Sequence, residues 1–254
     1  RHAMTPRRLF DALSAGVRGV LPVVAVCAAA GVITAMTTKT GLGAQFSSVL
    51  VGGVSAITDN RTAMLALTAV FAAVALAVLG LAIPVTASFV IGWVIIGPAL
   101  LALDVPAPAA AMFVFYYSVL SEVTPPTALA AVGASAVTGG QAIPTMWQTL
   151  RYAAPAFLVP IVFVLTGPGE FLLGRGPAFG VAWAAAAACA GIAALSFAVG
   201  GWALGVGAMG PVARIITAIA AVLLLFLNPA TIAAGLACLL GAVVLTIIDK
   251  RRTT

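Results

Sequence analysis

Apolar positions along this chain come in long unbroken runs, separated by short clusters of glycine, proline, threonine, asparagine and charge. Residues 1–16 are the exception. There Leu9, Phe10 and Leu13 share the stretch with Arg7, Arg8 and Asp11, which reads either as an amphipathic lead-in at a membrane surface or as a solvated cytoplasmic tail. A first spanning helix is predicted over 17–38, where "CAAAG" allows close helix contact. The piece over 44–57 is short and mixed, too weak to predict a crossing. Two apolar arms, 62–79 and 89–103, flank "GLAIPVTAS" and predict a re-entrant hairpin, with one full crossing plus a short hairpin as the alternative. A further apolar stretch covers 107–137 but is interrupted at Pro125 and Pro126. After a polar loop, "TGGQAIPTMWQTLR", comes a span over 152–166, then an exposed connection, "GPGEFLLGRGP". Three last spans, 178–203, 209–227 and 230–248, complete the chain, the final two separated by a turn at Asn228–Pro229.

Composition turns these runs into a membrane protein. The 254 residues are 63% hydrophobic and 7% charged, with a mean hydropathy of +1.21, whereas a soluble domain is about a quarter charged. Runs of this length fit helices that cross the hydrocarbon core. In lipid each segment must satisfy its own backbone, so the fold class expected is all-α integral membrane. The continuous alanine-rich runs lack the alternation of an outer-membrane barrel.

Charge fixes the expected orientation. With both termini inside and six crossings, Arg1, Arg7, Arg8, Arg18, Arg151, Arg214, Lys250, Arg251 and Arg252 fall in the cytoplasm. Lys39, Arg61 and Arg175 fall outside, as do the two ends of the hairpin. The net charge of +6 forms no basic patch with interleaved aromatics, so no nucleic-acid partner is expected. Cys27, Cys189 and Cys238 lie within apolar spans and suggest no disulfide framework or metal site, and the one histidine, His2, is terminal. The start, "RHAMTPRRLF", lacks a signal peptide and a methionine, which suggests a fragment of a longer chain.

The chemistry concentrates at "SEVTPPT". Proline donates no backbone hydrogen bond and clashes with the carbonyl four residues back, so Pro125 and Pro126 should release carbonyls near Ser121 and Glu122. Thr124 and Pro125 precede prolines and should be unwound. Freed carbonyls with the hydroxyls of Ser121, Thr124 and Thr127 form an all-oxygen set suited to sodium, the expected coupling ion; no other cofactor is expected. A second half-helix beginning near Thr127 would offer free N–H groups to an anion. A packing kink is the plainer reading of one proline. Two prolines beside a carboxylate that is costly to bury favour a functional break. The hairpin loop repeats the pattern, with Gly80 and Pro84 as breakers and Thr86 and Ser88 as hydroxyls. The sodium set is therefore Gly80, Thr86, Ser121, Glu122, Thr124 and Pro125. Glu122 is the uncertain member, either an ion ligand or a hydrogen-bonding support for the unwound backbone. Tyr116 and Tyr117 read as packing residues.

The run "LGLAIPVTASFVIGWVIIGPALLALDVPAPAAAMFVFYYSVLSEVTPPTALAAVGASAVTGG" closely resembles the second hairpin and broken helix of the large permease subunit of tripartite ATP-independent periplasmic (TRAP) transporters. It looks most like the fused type, and "FYYSVLSEVTPPTALA" is similar to the branch that works with TAXI-type binding proteins. The likeness covers 17–166, and the last three spans resemble extra helices on some fused chains. It implies an elevator-type sodium-coupled importer of a small organic anion in the bacterial inner membrane. A periplasmic substrate-binding protein would deliver the anion. It further implies that 80–88 forms the tip of a hairpin and 121–127 the break beside it, together framing one sodium site and half of a substrate site, the substrate set being Pro84, Val85, Thr86, Ala87, Ser88, Pro126 and Thr127. The family core has two inverted repeats, and this sequence holds one. The expected fold is thus half of an inverted-repeat transporter, with the other, N-terminal half of the same permease as a partner. The expected organisation is a lead-in over 1–16 and a scaffold helix with its connection over 17–61. A transport core over 62–168 and a C-terminal extension over 169–254 follow. A non-transporting scaffold subunit is the alternative. An intramembrane enzyme using Glu122 ranks last, because Asp11, Asp59, Asp104, Glu170 and Asp249 all lie at segment ends.

Overall fold

The computed structural model describes residues 5–81 and 83–253. Its chain is a bundle of helices whose only strands, among these residues, are two two-residue pieces. Helix α1 runs without interruption over Pro6–Thr40, so the expected lead-in and first span are one continuous helix. Nothing between residues 10 and 20 breaks it, since Pro6 sits in the first turn, where a missing N–H costs nothing. Helix α2, Leu42–Ser55, has 14 residues and spans about 21 Å, too short to cross the hydrocarbon core.

Helices α3 (Arg61–Gly80) and α4 (Val85–Ala102) are the arms of the hairpin. The α3 start is capped by Asn60, whose side chain accepts from the N–H groups of Thr62 and Ala63. The link between the arms shrinks to 81–84. The expected nine-residue loop is therefore corrected at its second half: Val85, Thr86, Ala87 and Ser88 form the first turn of α4. Pro84 supplies the reason, since its fixed φ of −58° sets the chain up to enter a helix at the next residue. At the open end Arg61 pairs with Asp104, which fixes the arms as antiparallel. At 20 and 18 residues, both arms are long enough to cross a membrane by length and composition.

Helix α5 (Ala107–Leu120) ends in a short 3-10 turn, Ser121–Val123, and the chain resumes as α6 (Leu129–Thr138). Only Gly139–Gln141 then separates α6 from α7, Ala142–Leu165, so most of the expected polar loop is helix. Pro144 causes no break because it lies in the first turn of α7. The expected exposed connection after α7 is a half-buried 3-10 segment, Gly167–Leu173, whose Leu172 and Leu173 pack on the core. Helix α8 (Ala178–Gly200) leads into strands β1 (Trp202–Ala203) and β2 (Gly207–Ala208), then α9 (Pro211–Leu225) and α10 (Pro229–Thr253). Among the described residues five helices are long and apolar enough to cross: α3, α4, α7, α8 and Pro229–Ile248 of α10. The sequence reading expected six crossings, one of them α9, which at 15 residues falls short of that length.

Two cores hold the bundle. Phe113, Val114, Leu76 and Leu100 centre the first, between α3, α4, α5 and α7; Ala184, Ala188, Leu224 and Leu225 centre the second, between α8, α9 and the end of α7. With lipid outside there is little hydrophobic drive between helices, so close packing of small residues does the work. A Cβ added at Gly43 would lie 2.6 Å from the Val94 carbonyl oxygen, and one at Gly235 would lie 3.0 Å from that of Ala220. Apolar side chains such as Val70, Val74 and Val78 of α3 remain exposed, the face that lipid or further protein covers.

Candidate functional site

Helix α7 serves as a ruler for the break. The Tyr117 hydroxyl donates to the Phe157 carbonyl at 2.7 Å, and the Tyr116 and Phe163 rings stack edge-on, so α5 lies along the C-terminal half of α7. Helix α6 joins the start of α7 through three residues and lies along its other half. Both tyrosines pack, as the sequence suggests. Ser121, four residues past Tyr117, therefore sits close to mid-height of a helix about 36 Å long.

The backbone at the break follows from its prolines. Thr124 is extended, with φ −93° and ψ 123°, and Ala128 adopts the left-handed conformation at φ 34° before α6 begins. The second half-helix thus starts at Leu129, two residues later than expected. Three hydroxyls turn back onto their own helix. Ser118 Oγ donates to the Val114 carbonyl at 2.8 Å, Ser121 Oγ to that of Ser118 at 2.6 Å, and Thr124 Oγ1 to that of Leu120 at 2.8 Å. Donating in this way leaves each hydroxyl oxygen its lone pairs, which is the state a cation ligand needs.

The hairpin tip meets the break. A cavity of about 320 Å³ is lined by Gly80, Leu81, Ile83 and Pro84 from the tip and by Ser121, Glu122, Thr127 and Leu129 from the break. Gly80 lies directly against the side chain of Ser121, and a Cβ added there would also stand 3.4 Å from Ser88 Oγ. That Ser88 hydroxyl is fully buried and has no hydrogen-bond partner among the described residues, and the same holds for Thr68 Oγ1. Buried hydroxyls are normally paired, and an unpaired one costs about 1–3 kcal/mol.

Of the residues singled out in the sequence, Gly80, Pro84, Ser121, Glu122 and Thr127 line the cavity, and Ser88 lies buried behind Gly80 without lining it. Val85, Thr86, Ala87, Thr124, Pro125 and Pro126 do not line it; Thr86 and Pro126 are exposed and Ala87 is buried. The apolar lining residues Leu81, Ile83 and Leu129 carried no signal, being ordinary members of an oily sequence. Among the described residues no three His, Cys, Asp or Glu side chains gather. What this cavity can offer an ion is hydroxyl and carbonyl oxygen, with Glu122 its only carboxylate.

Compared with protein families, residues 1–168 match the one described as Tripartite ATP-independent periplasmic transporter, DctM component. The chain belongs to this family. It is a multi-pass component of an inner-membrane TRAP transporter, from a family of transporter components and not of enzymes. In this TRAP permease the hairpin, the break and α7 all fall within the matched residues, and α8–α10 lie beyond them. Comparison with curated proteins and with solved structures gives no match.

Proposed function

We propose that this TRAP permease component binds a coupling sodium ion and part of a small organic anion in the cavity between the hairpin tip and the helix break. The unpaired, fully buried Ser88 hydroxyl beside Gly80 and Ser121 is the observation that carries this reading. An ion in contact with it would satisfy an oxygen that the protein leaves without a partner. Gly80 and Ser121 form the ion side of the cavity, with Ser88 behind Gly80 and Thr124 on the unwound backbone next to it. Pro84 and Thr127 face the anion, whose charge the first N–H groups of α4 and α6 favour. Glu122 is half-buried at the cavity wall, and its side chain makes no hydrogen bond to the break among the described residues.

A re-entrant hairpin, its tip closed against the break, is the arrangement this reading requires. Transport is then of the elevator type, with α3–α7 and the helices packed on α7 in the moving body and substrate delivered by a periplasmic binding protein of the TAXI type. A first hairpin, in a fused permease chain, supplies the other half of the site.

Ser88→Ala separates this reading from a packing role. Deleting an unpaired buried hydroxyl is neutral or stabilising when nothing binds it. In the complete transporter reconstituted in vesicles, Ser88→Ala and Thr124→Ala should each raise the sodium concentration for half-maximal uptake by about tenfold, equivalent to ~1.4 kcal/mol. Glu122→Gln should keep the fold and much of the binding. Unchanged sodium affinity and cooperativity in both variants would end this assignment.

A further inference from the structure

At the end of the bundle opposite Arg61 and Asp104, two arginines from different helices converge on one carbonyl. Arg151 of α7 donates from Nε and Nη2 to the Val199 oxygen, at 3.1 and 2.9 Å. Arg214 of α9 donates from Nε to the Ala198 oxygen at 2.8 Å and from Nη2 to Val199 at 3.1 Å. The final carbonyls of a helix do attract cations, and one guanidinium would satisfy them. Here there are two, and among the described residues neither has a carboxylate within salt-bridge distance. The Nη1 group of each makes no hydrogen bond there, so a doubly positive cluster keeps unused donors.

Those donors border an open groove of about 520 Å³ whose other wall is apolar, built by Pro211, Ile215 and Ala218 of α9. Exposed aromatics surround the same end: Trp147 and Tyr152 flank Arg151 in sequence, and Trp202 follows the end of α8. Exposed tryptophan and tyrosine mark the level of the lipid headgroups. We propose that this groove is a binding site for an anionic phospholipid, its phosphate held by Arg151 and Arg214 and its acyl chain lying along α9. A free phosphate would need the guanidiniums alone. The apolar wall and the aromatic level are what select the lipid.

The test is thermal unfolding of the full chain, delipidated in mild detergent, with phosphatidylglycerol, phosphatidylcholine or inorganic phosphate added. Phosphatidylglycerol should raise the midpoint by several degrees, phosphatidylcholine and phosphate by little. Arg151→Gln should weaken phosphatidylglycerol binding at least about tenfold, since it removes a charge-assisted pair. Ala218→Trp leaves both arginine caps in place and fills the groove. It should keep the lipid-free midpoint and lose the phosphatidylglycerol shift. Equal shifts from the two lipids, or a full shift from phosphate alone, would overturn the proposal. So would a phosphatidylglycerol shift that survives Ala218→Trp, a result that decides the matter even if Arg151→Gln fails to fold.

Discussion

Gly80 is the residue on which the contact between hairpin and break depends. Any side chain there runs into Ser121, whose own hydroxyl is tied to the Ser118 carbonyl and cannot swing away cheaply. Gly80→Ala should therefore push the tip off the break, at a cost of about 1–3 kcal/mol typical of overpacking, and should abolish uptake. Gly52, with open space around it, is the control: Gly52→Ala should leave both stability and uptake unchanged or slightly improve the helix. Thermal unfolding of the two variants beside an uptake assay would check the contrast. At this scale the sequence was legible where a residue was out of character. Glycine, proline, serine and a carboxylate stand out in an apolar run, so Gly80, Pro84, Ser121, Glu122 and Thr127 could be found. Leu81, Ile83 and Leu129 line the same cavity, but a leucine near a cavity differs in no local way from one facing lipid.

Among the elements, the existence of the break and of the hairpin followed from proline chemistry, but their edges did not. A proline stops a helix only where a donor is needed, so Pro144 in the first turn of α7 and Pro6 in that of α1 stop nothing. The same rule makes Pro84 start α4 and take Thr86 and Ser88 out of the loop. Whether the arms re-enter or cross is a question of depth. A bimane label on Pro84→Cys, with Cys27, Cys189 and Cys238 replaced, should be quenched most by lipids spin-labelled deep in the acyl chain. A label on Asp104→Cys should respond to headgroup spin labels. Headgroup quenching at both positions would show that α3 and α4 cross fully. The Arg61–Asp104 pair that joins their ends is largely exposed, at 72% and 78%, so Arg61→Ala should cost no more than about 1 kcal/mol.

For the whole molecule, charge placement gave an orientation that geometry can now be held against. Arg151 and Arg214, assigned to one side by counting, meet at the Val199 carbonyl, and Arg61 meets Asp104 at the other end. Cysteines at Arg175 and Arg61 should react with an impermeant thiol reagent from outside, and one at Leu204, on the exposed turn between β1 and β2, only from the cytoplasm. Labelling of Leu204→Cys from outside would reverse the orientation. Consecutive residues of α7 face different neighbours: Val162 belongs to the core with α8 and α9, Phe163 and Val164 to the core with α3, α4 and α5. Neither side can slide along α7 without opening a packed interior. Helices α8–α10 are thus a fixed outrigger on α7, and any stroke that carries the cavity through the bilayer must also drag their lipid-facing flank through it.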